Sequence, residues 1–365
     1  MNFLKKILKF EEQWCEYMGY FNPYIDPFET PLSHKVPVFD ATAFNQNPNY
    51  NYVYDKLWVA KSQNINSGEL KNFSGTNFPI FIKPRWGHKT SSSRNCHIIN
   101  NAKQLKPYMS KPDMMWSDFI TEREGMTDFI LLHGRIVYQL TYDYLDNVDG
   151  FSDKYKYISS DNKPPTIIIS WVQKYLPGYT GALNIQYRGD KIIEVSLRLA
   201  RGGGYILSTE NNQLIAGIND VFEKNTWGLD IQVPTFKPYY VFKIFISRPI
   251  FYILPQRTLD YIMNKNNCMP FYEYYFEPNG TDKMSICQFC HYDLNTGLKL
   301  QKMLEIIFTC LQKIFILLIV IAIIVIYYNW KCGLCLLAII AVLFLTRFLN
   351  PFSVQKALYK AQYLL

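Results

Sequence analysis

Hydrophobic and polar residues alternate through residues 181–204, a pattern typical of two β-strands that bury one face. The positions predicted to face the core are Leu183, Ile185, Tyr187, Ile193, Val195, Leu197 and Leu199. The positions predicted to share the opposite face are Asn184, Gln186, Glu194, Ser196 and Arg198. Residues 188–190, Arg-Gly-Asp, predict the turn, and a turn of odd length would place Asn184 beside Glu194.

The polar face of this predicted hairpin combines a carboxylate, two amides, a hydroxyl and a guanidinium group. Carboxylate and amide oxygens suit Mg²⁺, and an arginine binds phosphate oxygens through directed hydrogen bonds. The face therefore predicts a site for a magnesium ion that bridges phosphate groups. An ordinary half-buried sheet with a solvated polar face stays open as the alternative.

The same residues resemble a known family. The strings Asn-Ile-Gln-Tyr and Ile-Ile-Glu-Val-Ser-Leu-Arg resemble the paired strands near the end of the ATP-grasp fold, most closely those of the carbamoyl-phosphate synthetase large chain. The resemblance implies that Gln186 and Glu194 bind Mg²⁺ and that Arg198 contacts phosphate. Ser196 stands where the family usually has an asparagine that holds a second ion, so the resemblance makes Ser196 the third candidate metal ligand, although a hydroxyl is a shorter ligand.

A second part of the resemblance lies upstream. Residues 78–84, Phe-Pro-Ile-Phe-Ile-Lys-Pro, resemble the family's phosphate-side strand, and the serine-rich loop after them resembles its flexible loop. Lys83 ends a short apolar run, so its ammonium could reach a phosphate as a point charge. The loop offers hydroxyls and backbone N–H groups that could cover phosphates, and the resemblance implies Lys83, Lys89 and Ser91 as nucleotide-binding residues. Lys83 and Arg198 would be the catalytic cations.

Between these two parts, apolar runs around His133-Gly134 predict a further hairpin. In the family, an acidic residue at the hinge between the lobes lies near adenine, and a second one further along the chain binds ribose. The resemblance therefore implies Glu122 for the adenine side and Asp128 for the ribose. It covers residues 78–205 and implies an α+β fold, with a two-lobed nucleotide domain built on antiparallel sheets.

Composition and resemblance together divide the chain into five segments. They are a short leading domain (1–75), an ATP-grasp-like domain (76–235), an aromatic-rich connecting region (236–305), a transmembrane helical hairpin (306–349) and a cytosolic tail (350–365). In the leading domain, residues 54–60 resemble the helix that precedes the nucleotide lobe of ATP-grasp proteins. Leu4, Ile7 and Leu8, interspersed with lysines, fit either a membrane-surface helix or an ordinary surface helix.

Two uncharged apolar runs, 314–328 and 332–346, predict a membrane anchor. Each has 15 residues, fewer than the roughly 20 that span a bilayer, and extension to residues 306 and 349 would make both long enough. Lysines and arginines flank the pair on both outer sides, whereas the connection holds only Lys331. This distribution predicts a hairpin with both ends, and the soluble domain, in the cytosol. A shallow hairpin in one leaflet and a buried pair of core helices stay open as alternatives.

The formal net charge of +8 favours acidic ligands or an anionic membrane surface as partners. The sequence shows no basic helix interleaved with stacking aromatics, so we expect no nucleic acid partner. Eight cysteines in 365 residues do not suggest a disulfide scaffold. Cys287-x-x-Cys290-His291 fits half of a zinc site, and thiols in a reducing compartment are the alternative.

The resemblance implies an ATP-dependent ligase. In such a reaction, the carboxylate of a small molecule or peptide attacks the γ-phosphate of ATP, and an amine or a thiol opens the resulting acyl-phosphate. ATP and Mg²⁺ are the implied cofactors, because phosphoryl transfer depends on charge neutralisation and positioning. An inactive ATP-grasp-like membrane scaffold, or a protein that only binds nucleotide, stays open as the alternative. The sequence indicates neither the acid nor the acceptor, nor the oligomeric state.

Overall fold

The computed structural model describes residues 31–37, 39–89, 95–147, 153–228, 235–250, 252, 254, 256–278 and 283–346. These residues form two compact units, one ending at Val241 and the other starting at Phe242. The predicted N-terminal surface helix, Ser91 and the predicted tail at 350–365 lie outside the described residues.

The first unit contains a four-stranded antiparallel sheet. Its strands are β1 (Ser67–Glu69), β2 (Ile80–Pro84), β3 (His97–Ile99) and β4 (Met114–Asp118), in the spatial order β1-β4-β2-β3. The helices in this part of the chain are α1 (Asp40–Gln46), α2 (Lys56–Lys61) and α3 (Ala102–Leu105). Ile80 and Ile82 alternate along β2 and pack with Leu70, Ile99 and Met114 into an apolar core.

Five further strands of the first unit form the antiparallel sheet that carries the candidate site. They are β5 (Glu124–Leu132), β6 (Arg135–Asn147), β7 (Asp153–Ser159), β8 (Gly181–Arg188) and β9 (Lys191–Ser196), in the order β7-β6-β5-β8-β9. In the turn between β5 and β6, His133 and Gly134 both adopt the left-handed backbone conformation, with φ of 52° and 78°. Two such residues suit a two-residue hairpin turn, and the hairpin predicted at this point is confirmed.

Helix α4 (Thr166–Tyr175) covers the apolar face of this sheet. Its residues Ile168 and Val172 are buried against Leu183 and Ile185 of β8. Two more helices of the first unit follow β9, namely α5 (Gly204–Leu207) and α6 (Asn212–Lys224). The core therefore lies under the apolar residues of β8 and β9, as the alternation predicts, and their polar residues face the other way.

The register of β8 and β9 differs from the predicted one. Gln186 lies opposite Glu194 on the neighbouring strand. Asn184 lies opposite Ser196, so the prediction that it lies beside Glu194 is wrong. The physical reason is a β-bulge in β9 together with a two-residue turn, where we predicted a turn of three residues.

The bulge lies at Ile193. Tyr187 pairs with Ile192, and Ile192 enters the apolar core in place of the predicted Ile193. Ile193 itself is only half-buried, and its carbonyl accepts a hydrogen bond from the side chain of Lys83. The irregularity therefore directs a backbone oxygen of β9 toward the end of β2.

The second unit contains residues 242–247 of β10 (Tyr239–Ser247) with β11 (Met269–Pro278) and β12 (Lys283–His291). Its helices are α7 (Gln256–Lys265), α8 (Leu294–Tyr328) and α9 (Trp330–Thr346).

Cys287 and Cys290 are three positions apart on β12, so their side chains project from opposite faces of the strand. They cannot bind one metal ion together, and the half zinc site considered from the sequence is wrong. Neither cysteine forms a disulfide.

The first half of α8 belongs to the folded part of the second unit. Gln301 Nε2 donates to the carbonyl of Lys243 at 2.7 Å. Gln312 accepts from the N–H of Tyr252 at 3.0 Å and also donates to its carbonyl. The exposed apolar side chains that follow are Ile314, Ile316, Leu317, Val320, Ile321, Ile323 and Ile324. The helix therefore begins at Leu294, twelve residues before the predicted start of the membrane segment, and its first part binds polypeptide backbone. The predicted start of the span at residue 306 stays a prediction.

Helix α8 is the one described helix that is long and apolar enough to cross a membrane. The most apolar window of α8 has a mean hydropathy of 2.8, and 17% of that window is buried in the protein. The shorter helix α9 packs on it, and Phe315, Ala322 and Ile340 form the centre of the contact. Such low burial argues against the alternative of a buried pair of core helices.

Candidate active site

The candidate site is built on the polar face of β8 and β9. Directly opposed residues of antiparallel strands point the same way, so Gln186 and Glu194 project side by side from this face. Both are partly exposed, and 28% of the Glu194 side chain is accessible. Asn184 and Ser196 form the next row and are buried. Gln186 and Glu194 are therefore the members of the predicted metal site that a ligand can reach.

Lys56 of α2 lies next to Glu194. The Asp55 carboxylate accepts from the N–H of Leu57 at 3.0 Å and so caps α2, which places Lys56 in the first turn. Lys56 is only 5% exposed, and its Nζ lies 3.2 Å from Glu194 Oε1. Burial lowers the pKa of Lys56, whereas the Glu194 carboxylate and other negative groups raise it. The second effect is larger, so the pKa of Lys56 lies above its ordinary value. A buried ion pair therefore holds one oxygen of the predicted metal ligand.

Lys83 reaches the same place from the other sheet. It stands near the end of β2, and its Nζ donates to the carbonyl of Ile193 at 2.7 Å. Burial, followed by the positive charge of Lys56, lowers the pKa of Lys83 to about 8. Burial likewise raises the pKa of the neighbouring Cys96 thiol to about 11, although both lysines act against this. The structure thus gathers two ammonium groups around one carboxylate, that of Glu194.

Arg198 lies just beyond β9 and is bound to the leading segment of the chain. Its Nη2 lies 2.7 Å from Asp40 Oδ2, and its Nη1 donates to the carbonyl of Leu199 at 2.9 Å. The Tyr54 hydroxyl donates to Asp40 Oδ1 at 3.1 Å and accepts from the N–H of Leu197 at 3.0 Å. Asp40 and Tyr54 therefore fix the chain on both sides of Arg198, and the guanidinium already binds a carboxylate.

Asp128 does not lie where we predicted a ribose contact. The side chain is buried in the middle of β5, with 1% exposed. Its carboxylate accepts from the Tyr142 hydroxyl at 2.5 Å, from Asn184 Nδ2 at 2.7 Å and from the N–H of Ala200 at 2.9 Å. Burial raises the pKa of Asp128 to about 6, although these three hydrogen bonds and Arg198 lower it. Asp128 thus anchors the segment after Arg198 and leaves no oxygen for a sugar.

The remaining predicted nucleotide-binding residues are at the edges of the site. Glu122 lies in the connection between β4 and β5, which joins the two sheets, and its exposed carboxylate lies 3.6 Å from Lys191 Nζ. Lys89 is exposed at the end of a short 3₁₀ turn (Gly87–Lys89), next to the chain segment that contains Ser91. Both the hinge role of Glu122 and its contact with adenine stay predictions.

Lys56 and Asp40 are the two functional residues that sequence reasoning missed. Both stand in the leading segment, far along the chain from their partners. A signal was available for Lys56, because a lysine in the first turn of a helix faces the positive end of the helix dipole and needs a compensating carboxylate. No comparable signal marks Asp40, since an aspartate in a first helical turn is ordinary.

The donor set at this site suits one hard cation. Among the described residues, no group of three or more His, Cys, Asp and Glu side chains is arranged to hold a metal. Mg²⁺ does not need such a group, since it usually keeps several waters and binds through one or two carboxylates plus substrate phosphates. Gln186 and Glu194 can supply two protein oxygens of that kind. Ser196, the third predicted ligand, is buried with 4% exposed and stands in the row beneath them.

Comparison with known proteins finds similarity among solved structures. No protein-family profile matches the sequence, and no curated protein matches it. Among solved structures, the L-amino acid ligase from Bacillus licheniformis is similar, with a TM-score of 0.51 and 13% identity over 72% of each chain. The carboxyaminoimidazole ribonucleotide synthase from Aspergillus clavatus, complexed with ATP, gives a TM-score of 0.49 at 10% identity over 74% of this chain and 79% of that one.

The N5-carboxyaminoimidazole synthetase from Staphylococcus aureus, complexed with ADP, gives a TM-score of 0.48 at 12% identity over 69% of this chain and 71% of that one. At such low sequence identity, structural similarity is informative about the fold alone. The assignment of the fold rests on the similarity to the Bacillus licheniformis ligase. The more specific likeness to carbamoyl-phosphate synthetase stays a prediction. Together with the two antiparallel sheets and the Gln186–Glu194 pair that joins β8 to β9, these findings show that the chain has the ATP-grasp fold.

Proposed function

We propose that the protein is a membrane-anchored, ATP-dependent carboxylate–amine or carboxylate–thiol ligase that acts through an acyl-phosphate. The observation that supports this most is that two cations act on Glu194: Lys83 donates to the carbonyl of Ile193 on the same strand, and Arg198 follows that strand directly. Phosphoryl transfer requires groups that neutralise charge on the phosphates and hold them in line, and it requires little covalent chemistry from the protein. Fixed cations can neutralise the charge on the phosphates, and the carboxylate of Glu194 can hold the metal that bridges to them.

Each site residue has a part in this proposal. Lys83 and Arg198 neutralise charge on the transferred phosphate. Lys89, together with Ser91, covers the phosphates, and Glu122 lies on the adenine side between the two sheets. Asp128 acts as a positioning residue for the segment that follows Arg198, through the hydrogen bond that it accepts from the N–H of Ala200.

Gln186 and Glu194 would hold a single Mg²⁺ ion together with nucleotide phosphates. They stand side by side and partly exposed, whereas the amide of Asn184 is committed to Asp128 and Ser196 is buried. We therefore propose one ion at this site and no second ion at Ser196. When bound, Mg²⁺ would withdraw charge from the phosphate oxygens that it bridges.

The substrate would be a carboxylate on a small molecule or a peptide. Arg198 binds the carboxylate of Asp40 at 2.7 Å, which shows the kind of group that this guanidinium can hold. Part of the Arg198 side chain, 21%, is exposed. Either a substrate carboxylate or a phosphate could share this guanidinium with Asp40.

The membrane anchor would consist of the second part of α8 together with α9. The exposed isoleucines and leucines that follow Gln312 have no other apolar surface to cover them among the described residues. Helix α9 has 17 residues, at the lower limit of about 17–25 for a membrane span. Tyr327, Tyr328 and Trp330 are exposed at the connection, where aromatic side chains favour a membrane interface. We propose two spans, with the soluble domain in the cytosol.

An inactive nucleotide-binding protein or scaffold is the second candidate function. The observation that favours it is that Glu194 and Arg198 are each neutralised by a residue of the same chain, Lys56 and Asp40. A site that supplies its own counter-ions does not need a ligand to be stable. This feature separates the two candidates in practice, because in a ligase Glu194 must exchange Lys56 for the metal when nucleotide binds, whereas a scaffold can keep both ion pairs.

The test is ADP release by the purified full-length protein in detergent, with MgATP and pooled carboxylic acids and amines. The ligase proposal expects substrate-dependent ADP formation that Glu194→Gln abolishes. Glu223→Gln, which changes an accessible carboxylate on α6, is the matched control and should leave the rate unchanged. ATP binding without ADP formation across the pools would favour the scaffold.

A further inference from the structure

Lys56 forms an ion pair with the predicted metal ligand Glu194, and the proposal for nucleotide chemistry gives it no part. Its ammonium lies 3.2 Å from Glu194 Oε1, and Gln186 stands beside Glu194 on the neighbouring strand. Among the described residues, Lys56 is the ion-pair partner of Glu194, and Lys83 contacts the backbone carbonyl just before it. Lys56 thus holds the position where a cation would meet the carboxylate.

We propose that the Lys56 ammonium competes with the divalent cation for Glu194, so that the protein takes up the metal there only together with nucleotide phosphates. This inference rests on the proposed function, because it concerns the same site and its metal. It assigns to Lys56 the role of a positioning residue that sets the metal requirement of the site.

The first argument is electrostatic. A divalent cation on Glu194 would have to share the carboxylate with an ammonium group that is almost excluded from solvent. Lys83 brings a second positive charge to the next backbone carbonyl, that of Ile193. Like charges repel strongly where water cannot screen them, so the metal alone gains little from this site.

The second argument is steric. The stem of Lys56 is enclosed by the chain that follows β2, since a Cβ added at Gly87 would lie 3.4 Å from Lys56 Cε and 3.4 Å from the ring of Tyr54. Together with the 5% exposure of Lys56, this close approach leaves its side chain little room to turn away from Glu194. A metal that binds alone would have to displace the ammonium against this packing.

Nucleotide phosphates alter this balance. They bring several negative charges close to Lys56 and Lys83, and these charges can replace Glu194 as the partner of Lys56. Glu194 is then free to bind the metal, which in turn binds the phosphates. Metal and nucleotide are thus expected to bind with positive coupling, and each should raise the affinity of the protein for the other.

The experiment measures binding of Mn²⁺ alone to the full-length protein in detergent, by electron paramagnetic resonance of the free ion. The wild type and Lys56→Arg, which keeps the charge, should both bind Mn²⁺ weakly. Lys56→Met should bind it more tightly by about tenfold or more, because the competing charge is gone. The double variant Lys56→Met/Glu194→Gln should lose this gain. Tight Mn²⁺ binding by the wild type that disappears in Glu194→Gln would overturn the proposal, and so would the absence of any gain in a folded Lys56→Met.

If Lys56→Met does not fold, the wild type decides the question. Mn²⁺ is then titrated in the presence and absence of a non-hydrolysable ATP analogue, with Glu194→Gln as the control. The proposal expects Glu194-dependent Mn²⁺ binding only when the analogue is present, and Glu194-dependent binding of equal strength without it would contradict the proposal. A protein that binds no nucleotide at all would refute the proposed function, yet the gain in Lys56→Met could still be measured, so the two failures are distinguishable.

Discussion

Arg198 and Asp40 form an ion pair, with 2.7 Å between Nη2 and Oδ2, although 158 residues separate them in the sequence. The pair connects the chain just after β9 to the first helix of the leading segment. Tyr54 reinforces it, because its hydroxyl binds both Asp40 and the N–H of Leu197. The leading segment is therefore part of the candidate site and more than a preceding domain.

Removal of one partner of this pair should destabilise the protein. Arg198→Met leaves the Asp40 carboxylate unpaired and mostly buried, and we expect a loss of about 1–3 kcal/mol in the free energy of unfolding, discounted for partial exposure. Asp40→Asn should cost a similar amount. The double variant should be less destabilised than the sum of the two single ones. Chemical unfolding of the four proteins measures the coupling, and strictly additive losses would show that the pair contributes no stability.

Asp128 should make stability depend on pH. Burial raises its pKa from 3.8 to about 6, so the folded protein holds a proton that the unfolded chain has released between these values. The stabilising contribution is complete below about pH 4 and is lost as the pH rises through 6, a change of about 3 kcal/mol. In Asp128→Asn this change should be absent. The measurement is the difference in unfolding free energy between wild type and variant at pH 4.5 and pH 7, and a difference that does not change with pH would contradict the assignment.

The start of α8 within the folded unit can be tested at Gly297. An added Cβ at this position would lie 2.1 Å from the ring of Phe242, which is far too close. Gly297→Ala should therefore lower the thermal unfolding temperature, although alanine is normally more favourable than glycine in a helix by about 1 kcal/mol. Asn295→Ala, at an exposed position of the same turn, is the control and should not lower it. Equal behaviour of the two variants would mean that this end of α8 does not pack on β10.

The two-span arrangement predicts where the connection between α8 and α9 is accessible. In a background with Cys332 and Cys335 changed to serine, Lys331→Cys should react with a membrane-impermeant maleimide only from the side opposite to the soluble domain. Lys299→Cys, on the exposed face near the start of α8, is the control and should react only from the side of the soluble domain. A shallow hairpin in one leaflet would leave Lys331→Cys unlabelled from the opposite side.

The paired strands and their two faces could be predicted from the sequence, because strand side chains alternate with a period of two. The same rule failed at Ile193. Residues 192 and 193 are both isoleucine, so the sequence does not show which of them enters the core. The shift in register also changes which side chain lies beside the predicted metal ligand Glu194. The predicted pair of Asn184 and Glu194 does not exist, and Gln186 is the true neighbour of Glu194.

The counter-ions of the site could not be predicted, because they depend on contacts between distant parts of the chain. Lys56 lies within a segment whose helix is recognisable, yet nothing in its local sequence specifies Glu194 as its partner. The contacts of the first part of α8 could not be predicted for a related reason. Hydropathy records apolar residues, and it does not show that Gln301 and Gln312 bind the backbone of the folded unit. Asp128 was assigned to ribose from its place in the chain, whereas its burial emerges only in the folded sheet.

The most direct test of the central claim is calorimetric titration of the full-length protein with ATP, in the presence and absence of Mg²⁺. The account predicts saturable binding that requires Mg²⁺ and that Glu194→Gln and Lys83→Met each weaken by about tenfold or more, because each loses a charged contact. Glu223→Gln and Lys224→Met, which make the same changes on α6, should bind as the wild type does. No heat of binding from well-folded wild-type protein, or equal binding by all five proteins, would contradict a nucleotide site at Glu194 and Lys83.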